Sequence, residues 1–446
     1  MEHELTKGPV MKTMLLFAIP MILGDLLQQC YNIADTLIVG RFLGADALAA
    51  VGASSSITFL FVAIATGLSI GSSVVISQYF GAKRYGEMKT AIQTVLLASF
   101  VIALCLMLVG IFGTDAILRF MQTPQKIFSD ASLYLKIYFC GLVFLFLYNM
   151  LTASFNAIGD SKSPLVFLAL SSVCNIVLDL YFVTKLKMGV AGAALATDIS
   201  QAISVVVSFL WLCTRMKKMK TQQKSRIFDL HILEIVCNVA VPSMLQQSMV
   251  SIGIFLVQRL VNGYGEAVMA GYAAATKIDS IAILPMVNVG NAVSTFTAQN
   301  IGGKKPERVK EGFRAGLLMS AVIGVIVTGI LLVYAKVFVG LFMDSSSNQA
   351  AIATGIEYLR VVGLFYALMG IMNTCTGVLR GAGDILWFLM VTLINLSSRV
   401  ILAYSMSGML GAKAIWWSIP IGWGIGFAIG FVRYLSGKWQ KSSLIE

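Results

Sequence analysis

The stretch 13–40, TMLLFAIPMILGDLLQQCYNIADTLIVG, decides the fold. It is apolar over more than the ~20 residues a helix needs to cross a bilayer, yet it carries Asp25, Gln28, Asn32 and Asp35. Those four positions follow steps of 3, 4 and 3, which places them on one helix face. A polar stripe on an oily helix turns toward protein or water, not lipid. A carboxylate at membrane depth costs roughly 2.5–3.5 kcal/mol by insertion scales and marks a functional site by default.

The rest of the chain lives in the same solvent. Hydrophobic residues make up 58% and charged residues 12%, with mean hydropathy +0.84; soluble domains carry about a quarter charged residues. The apolar runs are ~20 residues long rather than ~10-residue alternations, which argues against a barrel. The sequence predicts an all-α polytopic membrane protein with twelve transmembrane helices, at 13–39, 48–77, 91–113, 131–156, 164–184, 190–213, 233–260, 269–298, 312–335, 352–379, 385–407 and 412–435. The first apolar segment is too long for a cleaved signal and no A-x-A site follows it.

The chain repeats itself. Pro242 in AVP lies 222 residues after Pro20 in AIP, and QNIGGKK at Gln299 lies 221 after QYFGAKR at Gln78. GAKAIW at Gly411 follows GVAGAA at Gly189 by 222, and GAGD ending at Asp384 follows AIGD ending at Asp160 by 224. Four matches in order at nearly one offset describe two copies. Six spans per copy is an even number, so both insert the same way up as parallel repeats, an architecture in which substrate binds between lobes. The expected domains are an N-lobe at 1–213, a basic linker at 214–232 containing RMKKMKTQQKSR, and a C-lobe at 233–446.

The net charge of +12 sits in short loops rather than on a nucleic-acid face. Lys83, Arg84, Lys89, Lys162, the linker, Lys304, Lys305, Arg308 and Lys310 fall on one side, which the positive-inside rule makes cytoplasmic, with both termini. The expected location is the plasma (cytoplasmic) membrane. Seven cysteines show no CxxC spacing, so neither zinc nor a disulfide framework is implied. Both histidines, His3 and His231, lie outside the spans. No nucleophile–base pair or metal-ligand motif falls within them, and no GxxxxGK[ST] exists for nucleotide binding. The expectation is a protein that is not an enzyme, with no cofactor and no metal beyond a transported ion. The Gly-Asp loops at 159–160 and 383–384 read as turns, and Pro285 and Pro420 as kinks. The 22 methionines suit a pocket that repacks, though most serve ordinary packing.

Depth brings a second acid to the first. Asp35 lies 15 residues beyond Pro20, and Asp179 lies 15 beyond Pro164, both about 22 Å up a helix that enters from inside. Asn175 is one turn below Asp179 on the same face. Thr197 is about eight residues into a descending helix. Four oxygen-bearing side chains on three helices thus share one layer, and two close carboxylates in low dielectric cannot both ionise cheaply without a cation. Such a pair holds a proton or a small cation such as sodium. The plainer alternatives are an Asp35 solvated near the outer helix end and an Asp179 in a structural hydrogen bond.

The chain resembles the multidrug and toxic compound extrusion (MATE) transporters over essentially its whole length, through QQCYNIADTLIVGRFLG, QYFGAKR, QNIGGKK, AIGDSKSP, RGAGD and NIVLD. The resemblance, to a DinF-like branch, implies two six-helix lobes and antiport. Drugs or toxic organic compounds, often amphipathic cations, leave in exchange for protons or sodium ions by alternating access, and the protein is expected to be a monomer. It assigns the coupling cation to Asp35, Asn175, Asp179 and Thr197. A NorM-like branch places coupling acids in the seventh and tenth helices. Here the seventh has Gln246 and Gln247 but no acid, and the tenth only Glu357 near its start, so no second-lobe coupling site is expected. Asn156 stands where comparison with Arg380 suggests an arginine. Asp25, where an uncharged residue is expected, is either a cavity acid or solvated in the inner vestibule. Gln28, Asn32, Gln201, Asn291 and Arg399 are further substrate-cavity candidates; Arg399 must find an acid, an amide or water. Lys277 and Asp279 lie two apart, on different faces. The alternative, a flippase for lipid-linked saccharide precursors, calls for a basic cavity, whereas this first helix is acidic.

Overall fold

The computed structural model describes residues 4–219, 221, 224–342 and 349–445, with the side chain of residue 56 excepted. His3 and linker positions 220, 222 and 223 lie outside the described residues. The described elements are helical: α1 Val10–Leu43, α2 Ala45–Gly81, α3 Tyr85–Phe120, α4 Gln125–Cys140, α5 Leu142–Ala157, α6 Lys162–Leu180, α7 Val190–Lys218, α8 Leu230–Asn262, α9 Glu266–Ala282, α10 Leu284–Gly302, α11 Pro306–Gly340, α12 Gln349–Gly363, α13 Tyr366–Ala382, α14 Ile385–Leu410 and α15 Lys413–Leu435. A π-helical turn, Tyr181–Lys185, continues α6. Ten spans are long and apolar enough to cross a membrane, or twelve when the bent pairs α4/α5 and α12/α13 each count as one. Each expected span is present, generally a few residues longer because the helices run past their apolar centres.

Three spans are broken. The pair α4/α5 bends by 47° around Gly141, and α12/α13 by 49° around 364–365. The third break, at Ile283, separates α9 from α10 and has a local cause: Pro285 occupies the first turn of α10 and has no N–H to continue the ladder. Pro420, by contrast, sits inside an unbroken α15.

The repeat is visible in matched turns. After α2 and after α10 the chain places Lys83 and Lys304 at φ 57° and 55°, each following a glutamine, Gln78 or Gln299, with no exposed surface. The two Gly-Asp turns also match. Gly159 and Gly383 adopt φ of 84° and 92°, where a side chain is disfavoured. Asp160 pairs with Arg215 at 3.2 Å and Asp384 with Arg433 at 2.7 Å. These ion pairs tie the start of α6 to the end of α7, and the start of α14 to the end of α15.

Two compact units emerge, one built from Leu23–Met244 and the other from His3–Ile22 together with Leu245–Glu446. These boundaries differ from the lobes at 1–213 and 233–446. They cut inside α1 and α8, two residues after Pro20 and Pro242, because the segments before those helices dock on the other copy. Ahead of α1, Leu5 is fully buried with Met14, Phe17, Val289, Phe296 and Phe313. Its N–H donates to Gln299 Oε1 at 3.1 Å, and its carbonyl accepts from Asn300 and Arg308. Ahead of α8, the N–H groups of Arg226 and Asp229 donate to Thr90 and Thr94 on α3. Asp229 then caps α8, accepting from the backbone of His231 and Ile232. The bond from Ile232, and then that from His231, hold its carboxyl below the usual carboxylate range.

Truncating Leu5 to Ala should lower the apparent melting point in detergent, by the equivalent of about 2–3 kcal/mol for a buried leucine. An unchanged melting point would mean that this segment does not anchor the second unit.

Candidate functional site

The site is built on α1, α6 and α7 of the first unit. The stripe on α1 forms as the periodicity requires: Gln28 Nε2 donates to Asn32 Oδ1 at 3.2 Å, one turn away. Asp35, one turn beyond Asn32, lies beside Asp179 of α6, so that the two carboxyls act directly on each other. Asn175 and Asp179, one turn apart on α6, have no exposed surface. Thr197 on α7 closes the group, because its hydroxyl accepts from Asn175 Nδ2 at 3.3 Å. The four sequence-assigned residues are therefore gathered in one place.

Their unused valences define the chemistry. Asn175 Oδ1, both carboxylate oxygens of Asp179 and Oδ1 of Asp35 are buried without a hydrogen-bond partner among the described residues. All four are acceptors, and no Lys or Arg forms an ion pair with either acid among the described residues. Burying two carboxyls without a counter-charge is strongly unfavourable. The group must carry a proton or enclose a cation, and a set of oxygens suits a hard cation.

The substrate-cavity candidates divide between the two units. Asp25 and Gln201 are partly buried in the first, and Asp25 is within electrostatic reach of Tyr148. In the second unit Asn291 Oδ1 accepts from Arg380 at 2.8 Å, while Arg380 Nε donates to Ser294. Arg399 packs its stem against Gly422, with Asp279 as the acid in its field.

Two residues, Tyr31 and Asp198, and the partners of Asp279 escaped the sequence. Tyr31, inside the opening stretch, lies 3.4 Å from the Thr197 hydroxyl. Its place one turn before Asp35 was the available signal, but an aromatic in an oily helix reads as packing. Asp198, next to Thr197, is buried with a carboxylate pressed on the backbone of Gly141, where a β-carbon would overlap it. Asp279, on α9, accepts hydrogen bonds from two tyrosines of the second unit.

The MatE family model matches residues 20–181 and again 242–405. The chain belongs to this family. MatE matching twice, from Pro20 and from Pro242, reproduces the repeat. The chain is 30% identical over 446 residues, covering 99% of itself and 98% of the relative, to "Probable multidrug resistance protein YpnP" of Bacillus subtilis. It is 24% identical over 417 residues to "Multidrug export protein MepA" of Staphylococcus saprophyticus, covering 93% and 91%. Among solved structures, it superposes with TM-score 0.88 and 25% identity on an outward-facing multidrug resistance MATE family transporter of the MOP superfamily, covering 99% of this chain and 98% of that one. The protein is thus an integral membrane protein of a multidrug efflux family of transporters, not an enzyme, and the saccharide-flippase alternative is not favoured.

Gly141→Ala should lower the melting point by about 1–3 kcal/mol equivalent, as overpacking does, and adding Asp198→Ala should restore much of the loss. A double variant as unstable as the single one would show that Asp198 is not what crowds Gly141.

Proposed function

We propose that the protein is a secondary antiporter that exports amphipathic, often cationic organic compounds in exchange for a proton or a sodium ion held by Asp35 and Asp179. One observation carries this reading: four buried acceptor oxygens on Asn175, Asp179 and Asp35 have no hydrogen-bond partner among the described residues. Within the group Asp35 and Asp179 take up and release the ion. The Asn175 Nδ2 bond to Thr197 fixes the amide so that Oδ1 turns to the same space. Tyr31 braces Thr197 from α1, linking the helix that bears Asp35 to the one that bears Thr197. The coupling residues are those expected of a DinF-like branch.

Cation binding between α1 and α6 neutralises the acid pair and so changes which arrangement of α1 is favoured; ion release reverses it. One charge crossing 100 mV yields about 2.3 kcal/mol, enough to sustain roughly a 40-fold gradient of a neutral compound. For a monovalent cationic substrate exchanged one for one, the ion's concentration gradient alone drives export. The names of the MepA and YpnP relatives support the substrate class, and Asp25 supplies an acid that attracts cations. Lys and Arg enrichment in one set of loops supports a plasma-membrane protein with both termini cytoplasmic, acting as a monomer.

In energised cells at equal membrane abundance, Asp35→Asn and Asp179→Asn should each cut ethidium efflux at least about tenfold, the effect of removing a coupled charge worth 1.4 kcal/mol or more. Repeating the wild-type assay without sodium, and with a protonophore, names the ion. Dye export undiminished in both variants would refute the assignment.

A further inference from the structure

The second unit holds an acid that the proposed coupling site does not use. Asp279 lies on α9, and two phenols from different helices converge on its carboxylate. The Tyr366 hydroxyl donates to Oδ1 at 2.6 Å and the Tyr358 hydroxyl to Oδ2 at 3.4 Å. Tyr358 belongs to α12 and Tyr366 to α13, so the two phenols stand on either side of the break in the bent span. Both oxygens of one carboxylate thus tie α9 to both halves of that span.

The break is otherwise fully provided for. The carbonyl of Gly363, released where the helix interrupts, accepts from Thr328 on α11 at 2.5 Å. The N–H of Phe365 donates to Val362 at 3.0 Å, and the N–H of Met369 picks up the Phe365 carbonyl at 3.1 Å. Below and above the break, Tyr272, Tyr358, Trp416, Tyr366 and Trp423 pack against one another. Neither the backbone nor the core needs a carboxylate here.

The acid is also not inherited from the repeated scaffold. At the offset of 221 that relates Gln299 to Gln78 in this same span, the matching residue is Thr58, which carries no acid. Arg399 on α14 lies in the field of Asp279 but forms no ion pair with it within 4.0 Å. The titratable and charged groups facing Asp279 among the described residues are therefore Tyr272 on its own helix, Tyr358 on α12, Tyr366 on α13 and Arg399 on α14. Lys277, two residues away, turns outward over the Phe342 ring. The acid keeps some exposed surface.

We propose that Asp279 is an ion-responsive positioning residue: ionised, it latches α9 to both sides of the α12/α13 break, and a bound proton releases one side. The chemistry is that of a single carboxyl. The carboxylate accepts both phenolic hydrogen bonds with the strength of a charged acceptor, whereas the protonated carboxyl has turned one oxygen into an O–H donor, so the phenol on that side must reverse its own hydroxyl or leave, and the charge-assisted tie there is lost. The bent span then becomes free to change its angle while α9 stays in place. The link to transport rests on the antiport reading above; the latch itself does not.

The test uses the full chain in lipid nanodiscs and in proteoliposomes. Amide hydrogen exchange at residues 360–368, corrected for the intrinsic effect of pH, should speed up in the wild type by about tenfold as the pH falls through the carboxyl titration, the worth of one hydrogen bond to a charged acceptor. Asp279→Asn should exchange at the fast rate at every pH, and Tyr366→Phe, which keeps the acid, should lie between. Should Asp279→Asn not fold, Tyr358→Phe and Tyr366→Phe carry the comparison. In transport, Asp279→Asn should lower kcat for ethidium while leaving KM within about twofold, and flatten the pH profile, as loss of a step made outside the binding site does; Asp279→Glu should restore it. Exchange in Asp279→Asn that follows pH as the wild type does, or a variant that lowers rate without altering the profile, would overturn the proposal. Normal transport in Asp35→Asn would sink the antiport reading alone, since the exchange measurement involves neither Asp35 nor substrate.

Discussion

Two carboxyl groups held side by side in an apolar medium cannot both stay ionised without a counter-charge. Asp35 and Asp179 impose that condition on the first unit, and much of its structure follows from meeting it. The acids come from α1 and α6, helices that enter the membrane from the same side, which is why equal distances from Pro20 and Pro164 bring them level. Asn175 donates to Thr197, whose hydroxyl donates to the Ala193 carbonyl, and the Asn175 Oδ1 is left as an acceptor without a partner among the described residues. No lysine or arginine pairs with either acid among the described residues.

The same economy of means governs the larger architecture. Each copy closes its inner side with a glutamine-containing turn and a Gly-Asp turn whose acid pairs with an arginine. The segments leading into α1 and α8 are exchanged, so that α1 begins in the second unit, anchored by Leu5, and ends in the first with Asp35. The proline of α1 falls two residues before the boundary, where a missing backbone bond makes bending least costly.

Much of this architecture is legible in the amino-acid sequence. Hydropathy alone places all twelve spans, because lipid leaves the backbone few alternatives to helix, and the offset of 222 between Pro20 and Pro242 exposes the repeat. The acid group is legible because helical periodicity and depth are fixed by geometry: Asp35, Asn175, Asp179 and Thr197 do converge. The breaks at Gly141 and at 364–365 are not legible, since no proline marks them. Each is accompanied instead by a tertiary contact, Asp198 against Gly141 in one unit and Asp279 between Tyr358 and Tyr366 in the other. Asp198 is overshadowed by its neighbour Thr197, which points elsewhere on the same helix. Asp279 invites comparison only with Lys277, which faces away; its true partners lie 79 and 87 residues further on, a separation that local pattern does not reach.

Antiport stands or falls on whether substrate and cation move in opposite directions through the acid pair. The direct measurement is counterflow in proteoliposomes of purified protein, with no membrane potential imposed. A substrate gradient is applied while pH-sensitive and sodium-sensitive dyes report on the lumen. Antiport predicts that substrate moving one way drives a proton or a sodium ion the other way, and that Asp35→Asn and Asp179→Asn each abolish the ion movement. Substrate flux with neither ion moving, or ion movement undiminished in both variants, would contradict it.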